Sequence, residues 1–254
     1  MARGSLAMLS CLLVAVIGSA HADAPEALVG GQYVTGNEFP YLVSIRNQGE
    51  LHCGGAIISE YFILTAAHCV LPLLSIPMNQ VTVVTSTNHL NIGGEVHKVA
   101  AYIPHPEYDE RDTWFNDIGL IKLAQPIRFS ATQQPIRLPT SPPPVNTYAT
   151  IAAWGATEVP LRSVSSRLKK VDLKMIPRTD CQSYYHDTTI VDKQICTLNQ
   201  KDVGTCAGDS GSPLACRGVL VGVVSGGIPC ALGLPDVFTN VYAYLDFIKR
   251  SMSL

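Results

Sequence analysis

Short apolar and β-branched runs recur along the chain: YLVSI at 41–45, AIIS at 56–59, VTVVTS at 81–86, IGLIKL at 118–123, ATIAA at 149–153, VLVGVVS at 219–225 and DVFTNV at 236–241. Each is of strand length, and glycine, proline or asparagine punctuates the gaps between them. That pattern is the signature of an all-β barrel or sandwich. Only VYAYLDFIKR at 241–250 sets apolar residues (Val241, Leu245, Ile248) at helical spacing, so one helix is predicted near the C-terminal end. The stretch GTCAGDSGSPLAC at 204–216 suits neither a helix interior nor a packed strand and predicts a covalently held loop. The proline-rich stretch 139–144 divides the β runs into two comparable groups. Two β domains joined by a strap, with a site in the crevice between them, is the predicted architecture.

A different pattern opens the chain. Met1-Ala2-Arg3 precedes the apolar LAMLSCLLVAVIG, and SAHAD follows with Ala20-His21-Ala22 in small-x-small spacing. One positive charge, an apolar core too short to span a bilayer comfortably and a cleavable end predict an export signal over 1–22. No second long apolar run follows, so a secreted, extracellular protein without a membrane anchor is expected. With 254 residues, 47% of them apolar, the chain can bury a sizeable core. A formal net charge of −2 and no basic run beyond Lys169-Lys170 give no electrostatic footprint for nucleic acid, so no nucleic-acid partner is expected.

Export changes how the eight cysteines are read. Cys11 leaves with the signal, and an oxidising compartment turns Cys53, Cys69, Cys181, Cys196, Cys206, Cys216 and Cys230 toward disulfides, with one left over. There is no CxxC pair, and the doublet His68-Cys69 has no matching partner pair, so no metal is expected. The segment 61–94 lacks Asp and Glu, and no N-x-Ser/Thr sequon occurs.

Asp209 and Ser210 sit side by side in the glycine-rich loop. A serine hydroxyl is a poor nucleophile unless a base lies within hydrogen-bond reach and a third group orients that base. Among seven histidines, His68 stands out because ILTAAHC ends a strand-like run just before Cys69. In NDIGLIKL, Asp117 stands at the mouth of an apolar strand, where a partly buried carboxylate needs a donor such as an imidazole N–H. An isolated Asp at a strand junction serves equally well as a turn cap.

TAAHC, NDIGLIKL and GDSGSPL, in that order, resemble the chymotrypsin/trypsin family of serine endopeptidases. LVGG at 28–31, CGGAIIS at 53–59, AAWG at 152–155, SGG at 225–227 and PDVFTNV at 235–241 extend the resemblance over nearly all of 28–254. GIPCALGLPDVFTNV at 227–241 looks most like arthropod, especially insect, chymotrypsin-like enzymes. The resemblance implies an all-β fold of two packed six-stranded antiparallel barrels with a C-terminal helix, divided near 139–148. A short propeptide over 23–27 would precede the protease domain.

The resemblance also implies a role for each site residue. Ser210 attacks the scissile carbonyl, His68 takes and returns the proton, and Asp117 holds the imidazole tautomer; the N–H groups of Gly208 and Ser210 form the oxyanion hole. Removal of the propeptide frees the α-amino group of Leu28, which pairs with buried Asp209. Gly204, Ser225, Gly226, Gly227 and Asp236 shape the substrate pocket. Bridges Cys53–Cys69, Cys181–Cys196 and Cys206–Cys230 are implied, leaving Cys216, whose customary partner position holds Ala149, as a buried free thiol or, as the alternative, part of an intermolecular bridge. No cofactor is implied. Protein and peptide substrates and protein protease inhibitors are the expected partners, and the expected state is a monomer.

Four departures qualify the resemblance. Ser212 replaces a glycine after the nucleophile and is expected to be tolerated. Gly226 stands where an aromatic residue is usual, so a bound peptide is expected to lose an apolar wall. Ala27 precedes Leu28 where Arg or Lys is usual, so trypsin cannot make that cut. Gly204 replaces the acid of trypsin-like pocket floors, while Asp236 places an acid on a wall that usually holds glycine. The expected specificity is therefore chymotrypsin-like or broad, with large apolar residues before the cut bond and secondary cleavage after Arg or Lys. The competing reading is a catalytically silent protease homologue acting as a secreted binding or regulatory protein; the intact set of three residues argues against it.

Overall fold

The computed structural model describes residue 1 and residues 28–111, 114–156, 164–228 and 230–253. The signal and propeptide expected over 1–27 lie, Met1 apart, outside the described residues. The short β1 (Gln32–Tyr33) comes first and pairs with a strand of the second barrel described below. Six strands then close a first antiparallel barrel: β2 (Leu42–Asn47), β3 (Glu50–Ile57), β4 (Phe62–Thr65), β5 (Val81–Thr85), β6 (Glu95–Pro104) and β7 (Gly119–Leu123), in spatial order β2-β3-β4-β7-β6-β5. After the linking stretch 124–147, β8 (Tyr148–Ala153), β9 (Lys169–Ile176), β10 (Gln194–Thr197), β11 (Pro213–Cys216), β12 (Val219–Gly227) and β13 (Asp236–Asn240) run in order β9-β10-β13-β12-β11-β8. A β8–β9 pairing closes this second ring, and β1 extends it at β9.

The predicted strands at 42–45, 81–85, 119–123, 149–153, 219–225 and 236–240 are present. The runs β6 (EVHKVAAYIP) and β9 (KKVDLKMI) escape the apolar-run pattern because charged residues alternate with apolar ones, and only part of each strand is buried. The predicted loop over 204–216 needs correction at its end. Turns occupy the part around Asp209, but Pro213–Cys216 is a strand, and proline stands at its first position, where no ladder donor is missed. The predicted C-terminal helix starts later than its apolar spacing suggests: Val241–Tyr244 form a tighter 3₁₀ turn before α3 (Leu245–Met252). Two short helices, α1 (Ala67–Val70) and α2 (Arg178–Gln182), carry too few residues to show a period.

The largest apolar cluster fills the first barrel with Ile45, Ile57, Ile63, Leu64, Leu120 and Ile121. It continues through Leu220 and Val223 of the second barrel into Val241, Tyr244, Phe247 and Ile248 of the C-terminal segment. The C-terminal helix is therefore a strap. It leaves the second barrel and buries its apolar stripe against the core of the first.

Three disulfides join Cys53 to Cys69, Cys181 to Cys196 and Cys206 to Cys230. They close loops of 16, 15 and 24 residues, each restricting the unfolded chain by about 3 kcal/mol in the chain-entropy account. Cys216 is free and buried, with its thiol directed at the Tyr148 carbonyl. The β8–β11 register pairs Leu214 with Ile151 and Ala215 with Thr150, so Cys216 comes opposite Ala149, and both sit in the second barrel's core cluster. In protein beginning at Leu28, one thiol per chain should resist alkylation until denaturant is added. Intact mass after labelling checks this: immediate modification or a disulfide-linked dimer contradicts the buried position.

Candidate active site

His68 is in α1, which begins where β4 leaves the first barrel; the Cys53–Cys69 bridge fixes the backbone beside it. Asp117 lies two residues before β7 and is wholly buried. β4 and β7 are hydrogen-bonded neighbours, pairing Thr65 with Gly119, so the ladder brings the two residues together despite 49 positions of sequence between them. The carboxylate accepts two bonds from His68: the backbone N–H at 2.9 Å on Oδ1 and Nδ1 at 2.8 Å on Oδ2. Facing a carboxylate, Nδ1 carries the proton and Nε2 is left as an acceptor. Ser225 of β12 donates its hydroxyl to the same Oδ2 at 2.6 Å, and Thr239 of β13 donates to the Asp117 carbonyl at 2.5 Å. Two barrels thus meet on one aspartate.

Asn116, just before it, has a left-handed backbone with φ 54°, a conformation asparagine tolerates better than most side chains. Tyr244 holds it there. Its hydroxyl accepts the Asn116 N–H and donates to Asn116 Oδ1, both at 3.1 Å.

The Ser210 loop is fastened to the first barrel. The Gly54 N–H donates to the Ser210 carbonyl at 2.8 Å, and Thr65 Oγ1 donates to the Gly54 carbonyl at 2.8 Å. Among the described residues no hydrogen bond joins Ser210 Oγ to His68 Nε2, a looseness common in unliganded sites. Gly208, with φ 93°, makes a backbone turn closed to other side chains, and among the described residues neither its N–H nor that of Ser210 is donated elsewhere. Ser212 is buried and packs on Gly54, where a Cβ would lie 2.1 Å from Ser212 Oγ; among the described residues its hydroxyl has no hydrogen-bond partner.

Asp209 points away from Ser210 into the second barrel. It is wholly buried and accepts the Gly155 N–H and the Cys206 N–H, each at 2.8 Å. Burial nevertheless pushes its carboxyl up to about 7, the two backbone bonds only partly offsetting the loss of water. Leu28 is fully buried, and Val29 packs with Cys206, which donates to Asp209, and with Ala156, beside the other donor Gly155.

A cavity of 190 Å³ opens beside Ser210, lined by Thr205, Ser225, Gly226, Gly227 and Asp236 among others. Its size suits one side chain. Asp236 is not unpaired at its wall: it accepts the Thr205 N–H at 3.1 Å and the Thr205 hydroxyl at 2.7 Å. Burial raises its carboxyl to about 6 against these bonds. Gly204 does not line the cavity. Asp236 stands in front of it, and a Cβ on Gly204 would lie 3.0 Å from Asp236 Oδ2. A larger opening, 460 Å³ between Gly30, Glu38 and Lys170, is polar and remote from the serine, and carries no comparable chemistry. Cys53, His68 and Cys69 bring three soft donor atoms within 4.8 Å, but the disulfide occupies both sulfurs.

The expected loss of an apolar wall at Gly226 needs correction. The indole of Trp114 fills that space, with Nε1 only 2.0 Å from where a Gly226 Cβ would stand. Tyr185 backs it edge-on at 5.1 Å between centroids and donates its hydroxyl to the Pro235 carbonyl, just before the strand that carries Asp236. Neither residue was identifiable in the sequence as part of the cleft. Both lie in loops, and only their tertiary contacts place them.

Two six-stranded antiparallel barrels followed by a C-terminal helix are the chymotrypsin-like fold of serine endopeptidases. A family model described as Trypsin matches residues 28–248, and the chain belongs to that family. It is 36% identical to Chymotrypsin-2 of Vespa crabro, covering 88% of this chain and 99% of that protein. It is 35% identical to Trypsin alpha-4 of Lucilia cuprina, covering 98% of this chain and 96% of that protein. Among solved structures, neuropsin, a serine protease expressed in the limbic system of mouse brain, superposes with a TM-score of 0.80 at 27% identity, covering 87% of this chain and 98% of that one.

Proposed function

We propose that the chain is a secreted serine endopeptidase in which Ser210 is the nucleophile, His68 the general base and acid, and Asp117 the group that orients the imidazole. The paired bonds from His68 to Asp117 support this reading, because they hold the proton on Nδ1 and leave Nε2 as the basic nitrogen. Ser210 Oγ adds to the scissile carbonyl as its proton passes to His68. The tetrahedral oxyanion is held by the Gly208 and Ser210 N–H groups; collapse to the acyl-enzyme expels the amine, which takes the proton from His68. Water then repeats the sequence, activated by the same imidazole, and releases the acid.

Asp209 supports activation at Ala27–Leu28. An acid buried without a counter-charge favours its neutral form, so a charged Asp209 costs stability once the pH rises above the ordinary carboxyl range. A new α-amino group delivered with Leu28 removes that cost and fixes the loop carrying Gly208. The test uses protein cut at Ala27–Leu28. It should hydrolyse peptides and bind an organophosphate at one residue per chain, and Ser210→Ala should lose the label and nearly all activity. Folded wild type that takes no label supports the silent-homologue alternative instead.

The pocket supports dual specificity. Its walls admit a large apolar side chain, while Asp236 offers a carboxylate to Arg or Lys. Since the carboxyl is raised to about 6, the acid is neutral below that pH and charged above it. The ratio of kcat/KM for Arg over Phe substrates should therefore climb between about pH 5 and pH 8, and the ratio cancels titrations common to both. Asp236→Gly should lower the ratio and flatten its pH profile; an unchanged ratio in that variant shows that Asp236 does not select substrate.

A further inference from the structure

Each residue of the segment 114–117 is held by a group from beyond the first barrel. Gln194 Nε2 donates to the Trp114 carbonyl at 2.8 Å, Tyr244 closes its two bonds on Asn116, and Ser225 and Thr239 meet Asp117. Lys193, the residue just before β10, reaches the middle of the segment. Its ammonium donates to Asn116 Oδ1 at 3.2 Å and lies 5.0 Å from the Phe115 ring centroid and 5.2 Å from that of Tyr244.

We propose that Lys193 is a positioning residue: through Phe115 and Asn116 its ammonium sets the direction from which Asp117 meets His68, an inference that rests on the peptidase reading of the site. Three observations carry it. Asn116 is the backbone turn into Asp117, and its left-handed φ of 54° persists only where the surroundings enforce it. The buried amide of Asn116 is fully engaged in doing so: Oδ1 accepts from both Lys193 and Tyr244, and Nδ2 donates to the Glu107 carbonyl at 3.1 Å. The bond from the ammonium is charge-assisted, so it is the stronger of the two that Oδ1 accepts. Second, a cation within reach of two aromatic rings attracts both, which ties Phe115 of the first barrel to Tyr244 of the C-terminal strap. Third, the lysine is anchored where the aspartate is. The Lys193 carbonyl accepts the Asn240 N–H at 2.9 Å, one residue past Thr239, whose hydroxyl holds the Asp117 carbonyl. Lys193 and Asp117 are thus tied to the same strand, β13, and a rotation at Asn116 pulls against both.

The experiment uses protein beginning at Leu28 and compares Lys193→Met, which keeps the stem and removes the charge, with Lys193→Arg, which keeps a cation for both rings. kcat and KM are measured for one peptide substrate. Proton NMR follows the far-downfield resonance of the proton that His68 Nδ1 donates to Asp117, a signal that a change of packing elsewhere does not move. In Lys193→Met kcat should fall about tenfold with KM unchanged, since misdirecting a positioned group costs rate rather than binding, and the resonance should move upfield. Lys193→Arg should recover most of both. In an Asn116→Gly background, where glycine makes the left-handed turn without the amide, Lys193→Met should cost clearly less. Either readout unchanged in folded Lys193→Met, an arginine variant as impaired as the methionine one, or an equal loss in the Asn116→Gly background overturns the proposal. If Lys193→Met does not fold, Phe115→Leu takes one ring away from the cation and reads the same two quantities. Wild type that shows the resonance, shifts it in Lys193→Met and hydrolyses nothing overturns the peptidase reading and leaves the positioning of Asp117 standing.

Discussion

The site depends on one buried carboxylate. Asp117 lies where the two barrels meet, and every polar group that reaches it comes from an element that could otherwise slide: His68 from α1, Ser225 from β12 and Thr239 from β13. A wholly buried charge is tolerated only when its lone pairs are filled, so the barrels are held in the one arrangement that fills them. The same bonds fix the imidazole's tautomer and rotation. Packing alone would join two apolar barrels with some freedom. The aspartate converts that contact into a defined geometry, and the strap formed by Val241–Tyr244 and α3 closes over it through Tyr244 and Asn116.

Three buried acids share the crevice, and their surroundings differ enough to give each a separate chemistry. Asp117 meets an imidazole and a hydroxyl. Asp209 meets only two backbone N–H groups and is raised to about 7, which favours pairing with a positive charge in the activation proposed above. Asp236 meets one threonine and is raised to about 6, so its charge is available to a substrate over part of the neutral range. Burial raises both Asp209 and Asp236. The number and kind of donors differ at each, which is the physical basis of the separate roles proposed for them.

Most of this was legible in the sequence because it is written locally. TAAHC, NDIGLIKL and GDSGSPL each place one side chain on a short segment whose neighbours fix its backbone, and apolar runs of strand length marked six strands, the seventh run, AIIS at 56–59, overlapping β3 only at Ala56 and Ile57. Strands β6 and β9 were not legible, since their alternating charges look like solvated surface until a barrel supplies the buried face. Nor was the Trp114 contact, because nothing local ties a tryptophan in one loop to a glycine in a distant strand. The glycine was noticed as a missing wall; only the fold shows that its emptiness admits another residue. Asp236 was read correctly as an acid in the pocket. Its hydrogen bonds to Thr205 depended on the loop that brings position 205 against it.

Replacing Asp117 by asparagine tests the central claim most directly, because it keeps the shape and changes only what the donors meet. An amide turned toward His68 Nδ1 either opposes a donor with a donor, so the imidazole is no longer held, or forces the proton onto Nε2, so the proposed base is lost. We predict that Asp117→Asn keeps its near-ultraviolet circular dichroism and loses about four orders of magnitude in kcat, a size known for this mechanistic class rather than derived from these distances. A folded Asp117→Asn protein whose kcat stays within about tenfold of wild type, measured against the 1.4 kcal/mol per decade scale, would contradict the account.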